Sequence, residues 1–311
     1  MHAWESIQKT LDIIENRISD KITVEELADT AALSVFYYQR LFTRLVRKPV
    51  MEYIKLRRLA TSCEKLRNTN DRILDVALAC GFGGHEVFTR TFKDAYGMTP
   101  SEYRESDVRL NNFLKPDLSL GYTLIDLDVP LVSEGLVLEM SRRKLDSPIL
   151  FAGAKGHASI AGQFPNGETT GISEPGEIWQ QFNEIEPSIP SKPGGRKIGV
   201  AYHDSAPQGC FTYFVGAEVE PSIKPDNPKD FQTWTLPAGD YLVMRFEAET
   251  MDELVSVALN KALKYQHMWQ AKKGLAFTDF GAEIYYNEAE ENEEYVYMEM
   301  WSLWAEAEES K

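Results

Sequence analysis

The chain has 311 residues, 43% of them apolar, with a formal net charge of −15, three cysteines and five histidines. That length suggests about two domains. Cys63, Cys80 and Cys210 form no CxxC pair, the histidines lack metal-ligand spacing, and no apolar run approaches the ~18 residues of a membrane span, so a disulfide scaffold, a metal centre, a bound cofactor and a spanning helix are not expected. The opening stretch MHAWESIQKTLDIIENRI lacks the basic and apolar regions of a signal peptide, and a reducing cytoplasm is expected.

The acidity is unevenly placed. Residues 1–107 hold 16 Lys+Arg and 16 Asp+Glu, whereas residues 108–311 hold 17 of the 33 Lys+Arg and 32 of the 48 Asp+Glu. A balanced first part can still gather its cations on one face. Ile7, Leu11, Ile14 and Ile18 predict an amphipathic first helix. In ITVEELADTAALSVFYYQRLFTRL, Thr23 and Glu26 predict a capping box, Leu27, Ala28 and Ala31 a buried stripe, and Ser34 the cap of the next helix. There Tyr38, Leu41, Phe42 and Leu45 predict the core side, leaving Phe36, Gln39, Arg40 and Thr43 outside.

A shift of 50 residues superposes Arg40 on Arg90, Phe42 on Phe92 and Glu52-Tyr53 on Glu102-Tyr103, the mark of a repeated helical unit. The second unit is expected to be capped at Asn70-Asp71, with Ile73, Val76, Ala77 and Cys80 buried and Gly81 in a left-handed turn. Its following helix has Phe88, Phe92 and Ala95 inside, and His85, Glu86, Thr89, Arg90 and Lys93 outside. VMEYIKLRRLATSCEKLRN, free of glycine and proline, predicts one long connecting helix, and Gly97, Pro100 and Tyr103 close the domain. The pattern is two helix-turn-helix units in tandem.

Through EELADTAALSVFYYQRLF, YIKLRRL, ILDVALACGFGGHEVFTRTFK and GMTPSEYR, residues 8–106 resemble the DNA-binding domain of the AraC/XylS family of bacterial transcription regulators. The resemblance implies double-stranded DNA as partner, read through two successive major-groove segments about 34 Å apart. It assigns Phe36, Gln39 and Arg40 to one recognition helix and His85, Glu86 and Arg90 to the other. Gln39 suits adenine, the arginines suit guanine and Phe36 a thymine methyl, while Glu86 either accepts from cytosine or points away. Arg44, Lys48 and Lys93 are candidates for phosphate contacts.

ESDVRLNNFLKPDLSLGY predicts a linker over residues 108–121 between a DNA-binding domain (1–107) and a second domain (122–311). Beyond it, LVLEMSRRKL, ILFAGAKG, KIGVAYHD and CFTYFVGAEV read as strands around a helix in PGEIWQQFNEI. FQTWTLPAGDYLVMRFEA, GAEIYYN and EYVYMEMWSLWAE read as strands around a helix in MDELVSVALNKALKYQHMWQA, with Leu254, Val257, Ala258 and Leu263 as its core. Each half is strand–helix–strand–strand, an α+β pseudo-duplication after an all-α tandem helix-turn-helix domain. The acidic runs EAEENEE and AEAEES read as a solvated loop and tail.

Residues 122–308 resemble the gyrase-inhibitor-like ligand-binding domain, carried by EIWQQF, GVAYHD…FTYFVGAEVE, LPAGDYLVMRFE, AEIYYN and MEMWSLWAE. The chain departs from it in a long loop, SIAGQFPNGETTGISEPG, and in lacking a proline after the last aromatic run. The resemblance implies a small-molecule effector, a pocket carboxylate at Glu299 and walls drawn from Trp179, Tyr213, Tyr241, Trp269 and Tyr285. A carboxylate among aromatic rings selects an organic cation. The expectation is a non-enzymatic activator that contacts RNA polymerase. Two alternatives are a hydrolase using Glu299 as general base and a protein-binding module.

Overall fold

A computed structural model describes residues 3–160, 170–204, 206–223, 230–286 and 295–306. The run EAEENEE, most of AEAEES and the centre of the long loop lie outside the described residues. The backbone forms two compact units, Met1–Tyr122 with Phe164–Ser173, and Thr123–Gln163 with Glu174–Lys311.

In the first unit α1 (Ala3–Asn16), α2 (Val24–Thr30), α3 (Val35–Val46) and the first half of α4 (Val50–Asn68) enclose one core. The second half of α4 encloses another with α5 (Ile73–Ala79), α6 (His85–Tyr96) and α7 (Pro100–Glu105). Ser34 caps α3 by accepting from the Tyr37 amide, and Thr23 caps α2 by accepting from Glu26. The Glu26 carboxylate pairs with Arg17. The reciprocal capping box forms instead at Thr99 and Glu102 on α7. Arg72, with its side chain turned to Asp75, stands at the cap of α5 where Asn70-Asp71 was expected.

The repeat carries through to hydrogen bonds. Leu33 N–H reaches Ala28 O at 2.9 Å, and Phe82 N–H reaches Ala77 O at 2.9 Å, an offset of 49 residues. The second turn is one residue longer, so α6 follows α3 at an offset of 50. Ala32, at φ +56°, occupies the left-handed position that Gly81 fills at φ +75°.

The segment expected as a linker is docked on the first unit. Phe113 is 2% exposed and lies edge-on to Tyr53 at 5.8 Å, with its carbonyl accepting from Arg57 at 2.6 Å. Lys115 pairs with Asp12 at 2.6 Å, and the Leu118 amide donates to Gln8 at 2.9 Å. Phe113 and Leu118 from this stretch complete the first core. A short strand pair, β1 (Leu110–Asn111) with β5 (Gly171–Ile172), belongs to the same unit.

The second unit is built on β2 (Leu131–Ser133), β3 (Leu136–Leu145), β4 (Ile149–Ser159), α8 (Glu174–Ile185), β6 (Lys197–Tyr202), β7 (Cys210–Glu218), β8 (Gln232–Leu236), β9 (Gly239–Ala248), β10 (Phe280–Tyr285) and β11 (Val296–Leu303). Before β10, one turn (Met251–Glu253) and a π-helical stretch (Leu254–Ala258) lead into α9 (Leu259–Lys273). Nine strands form one antiparallel sheet in the order β2-β3-β9-β11-β10-β6-β7-β4-β8.

The two halves meet where β6 pairs with β10. Each half also lends a strand to the other, because β3 pairs with β9 and β8 with β4. That exchange adds a strand to the expected strand–helix–strand–strand unit and makes one sheet of two repeats. Helix α8 lies on β4 and β7 through Ile178 and Phe182, and α9 meets β11 through Gln266 and Gln270, which both donate to Ser302 at 3.2 Å. After the π-helical stretch, the buried side of α9 is Ala262, Tyr265, Gln266, Trp269 and Gln270. Val257 and Leu263, expected inside, are half-buried. The other sheet face carries its own apolar core, including Phe151, Val200, Tyr241, Ile284 and Trp301.

Candidate functional site

Helices α3 and α6 bury the same steps: Tyr38, Phe42 and Val46 in one, Phe88, Phe92 and Tyr96 in the other. The opposite face is therefore left to solvent in both. Phe36 is 66% exposed, and Gln39, Arg40, Arg44, His85, Glu86, Arg90 and Lys93 are all exposed. Arg40 and Arg90 are the sixth residues of their helices. Gln39, Arg40, Arg44, Arg90 and Lys93 have no hydrogen-bond or ion-pair partner among the described residues, so these groups are free to meet a ligand. Glu86 sits in the first turn of α6, where a carboxylate favours the helix dipole. Lys48 is half-buried, its ammonium 5.9 Å from the Phe113 ring centre. Tyr37, 62% exposed and edge-on to Phe36 at 5.5 Å, also belongs to this face. It was missed because an aromatic beside Tyr38 reads as core.

In the second unit the expected pocket residues divide between the faces of the sheet. Strand alternation puts Glu283 and Tyr285 on the face covered by α8 and α9. The Tyr213 hydroxyl donates to Glu283 Oε2 at 2.9 Å and the Tyr285 hydroxyl at 2.7 Å. Trp179 of α8 donates through Nε1 to the Tyr213 oxygen at 3.2 Å and stands edge-on to Tyr285, with ring centres 5.0 Å apart. Opposite Glu283 in the ladder is Gly199. A Cβ there would fall 2.3 Å from the Tyr213 hydroxyl and 2.9 Å from Glu283 Oε2, so the missing side chain is what lets these groups meet. Burial pushes the Glu283 carboxyl up to about 7 against the two hydrogen bonds that favour its charged form. The Tyr213 hydroxyl is raised well above its ordinary value by burial and by the neighbouring carboxylate. No cationic side chain pairs with Glu283 among the described residues.

Glu299 does not join this cluster. It lies on the opposite face, pairs with Arg143 at 2.8 Å, and accepts from Tyr286 at 2.5 Å and from Trp301 Nε1 at 2.9 Å. Its charge is already answered, which also removes it as a free general base. Tyr241 is wholly buried on that same face, donating to Pro237 O at 2.5 Å. Trp269 is 1% exposed and donates to Ile125 O at 2.8 Å. Of the six expected pocket residues, Trp179, Tyr213 and Tyr285 come together, around a carboxylate that was not expected. The signal for it was present: Glu283 precedes Tyr285 by two residues, which places both on one face of a strand.

Among the described residues, no group of three or more His, Cys, Asp or Glu side chains could hold a metal ion. No helix among them is long and apolar enough to cross a membrane.

Two family descriptions match this architecture. One, a helix-turn-helix domain, covers residues 27–106, and the other, an integron-associated effector binding protein, covers residues 158–302. The chain is similar to regulatory protein SoxS of Salmonella typhimurium, with 32% identity over 33% of this chain and 97% of SoxS. It is 32% identical to the HTH-type transcriptional activator AarP of Providencia stuartii over 35% of this chain and 80% of AarP. It is 39% identical to the HTH-type transcriptional regulator YbfP of Bacillus subtilis over 33% of this chain, spanning 35% of YbfP's length. The chain belongs to the AraC family of transcription regulators and joins that family's helix-turn-helix domain to an effector-binding domain.

Proposed function

We propose that this chain is a ligand-responsive transcription activator that reads two successive major-groove segments with α3 and α6 and takes an organic cation at Glu283. The DNA half of this reading is supported by the family and by two recognition faces with the same exposed pattern. Arg40 and Arg90 read guanine, Gln39 reads adenine, Phe36 packs on a thymine methyl, and His85 and Glu86 border the second segment. Arg44, Lys48 and Lys93 hold phosphates. Activation, for which RNA polymerase contact is the proposed route, is suggested by the likeness to AarP, named as an activator.

The observation that supports the effector half is a half-buried carboxylate with no counter-ion among the described residues, set against Trp179, Tyr213 and Tyr285. A lipophilic cation supplies the missing charge and meets the ring faces. The ligand must favour one state of the protein over another to change transcription. Because Glu283 titrates near neutrality, cation binding displaces a proton and strengthens as pH rises through about 7.

Tetraphenylphosphonium and its anionic isostere tetraphenylborate test this directly on the full chain by calorimetry. Binding of the cation alone, lost in Glu283→Gln and retained in Glu299→Gln, is expected. Equal binding of both ions, or of neither, overturns the cation site.

A further inference from the structure

We propose that Arg58 fixes the distance and angle at which the two recognition helices meet DNA, and so determines the half-site spacing this protein accepts. The inference rests on the proposed reading of two groove segments. The two helix-turn-helix units have separate cores. They share α4, whose Val50, Tyr53 and Ile54 belong to the first and whose Leu59, Cys63 and Leu66 belong to the second. A single shared helix leaves the units free to flex about it, since long helices bend at little cost.

Arg58 stands where α4 passes from one core to the other. Its Nε donates to Ile18 O at 2.9 Å and its Nη2 to Asp20 O at 2.6 Å, both in the turn between α1 and α2. Its Nη1 donates to Gly81 O at 2.8 Å, in the turn that leads to α6. One planar guanidinium thus holds carbonyls from both units in a fixed relation, which a lysine, as a point donor, cannot reproduce.

Gly81 closes the same joint from the other side. A Cβ there would lie 2.8 Å from Ser19 O and 2.9 Å from Arg58 Cζ, and the backbone is at φ +75°. The two turns therefore touch, with the guanidinium between them. Neither turn supplies a base-reading side chain, so Arg58 acts through the placement of α3 and α6 and is a positioning residue.

One base pair added or removed between half-sites moves one of them about 3.4 Å along and about 34° around the duplex. A rigid pair of reading heads cannot follow that displacement, whereas a hinged pair can. The test uses duplexes enriched from random sequence by the full-length wild-type chain, then lengthened or shortened by one base pair between the two protected segments. We expect wild type to lose about 100-fold in affinity on either change, Arg58→Met less than about tenfold, and Arg58→Lys an intermediate amount. Binding of each isolated half-site is expected to stay within about twofold of wild type in both variants.

A wild-type spacing penalty in Arg58→Met overturns the inference and leaves the DNA reading standing. If Arg58→Met loses half-site binding through misfolding, Arg58→Lys decides, and a wild-type penalty there overturns the inference equally. Failure of wild type to enrich any duplex overturns the DNA reading itself, and this inference with it.

Discussion

Glu283 and Glu299 stand on neighbouring strands of one sheet and face opposite ways. Glu299 pairs with Arg143 and accepts from Tyr286 and Trp301. Glu283 has two tyrosine hydroxyls and no cation. Glu299 is 2% exposed and Glu283 is half-buried, and desolvation raises the Glu283 carboxyl to about 7. A carboxylate whose charge is answered within the fold contributes to structure. One left unanswered is held in a state that a cation can improve, and that asymmetry separates framework from site.

The comparison breaks most visibly at Glu299. Glu299→Leu strands Arg143, the Tyr286 hydroxyl and the Trp301 N–H together, and should cost about 3 kcal/mol, the half-exposed Arg143 keeping the loss at the low end for a broken buried pair. Chemical denaturation at pH 7 measures it, and a loss below about 1 kcal/mol would mean the pair is only superficial. Gly199→Ala tests the other face, since its methyl competes for the space of the Tyr213 hydroxyl and Glu283 Oε2. A cost of about 2 kcal/mol and complete loss of tetraphenylphosphonium binding are expected. Unimpaired cation binding in this variant would show that the ligand sits elsewhere.

How much of this was legible beforehand depends on the kind of order involved. The helix-turn-helix units announce themselves locally, through Ser34, Gly81, the burial period of α3 and α6, and the repeat of Arg40 at Arg90. The strands of the second unit are equally local, and β3 coincides with LVLEMSRRKL. Pairing across the sheet is not local. Glu283-x-Tyr285 and Glu299-x-Trp301 have the same alternation. What distinguishes them is that α8 covers one face while β3 brings Arg143 to the other. The exchange of β3 and β8 between halves was hidden for the same reason, because a strand's own pattern does not name its neighbour. Phe113 was read as linker because its partners, Tyr53 and Arg57, lie far back in the sequence.

A change of charge sharpens the contrast with a sign. The Glu283 carboxyl titrates at about 7 in the fold against an ordinary 4.5. The stability of its neutral form is therefore fully present below about pH 4.5 and lost as pH rises through 7. Glu283→Gln removes that loss. The variant should exceed wild type by on the order of 2 kcal/mol at pH 8 and match it near pH 4. Unfolding curves across this range check it, and a variant that is weaker than wild type at pH 8 would show that the carboxylate has a cation the fold supplies.

The smallest effect separates the two tyrosines' contribution from burial. Both hydrogen bonds hold the Glu283 carboxyl down while desolvation raises it. Tyr213→Phe takes one donor away and leaves Trp179 without the oxygen it donates to. The carboxyl should then titrate about one unit higher. The midpoint of the pH dependence of tetraphenylphosphonium binding should move up with it, from about 7 toward about 8. An unmoved midpoint would mean that burial alone sets the affinity of Glu283 for its proton, with the tyrosines lining the site and leaving its charge unaltered.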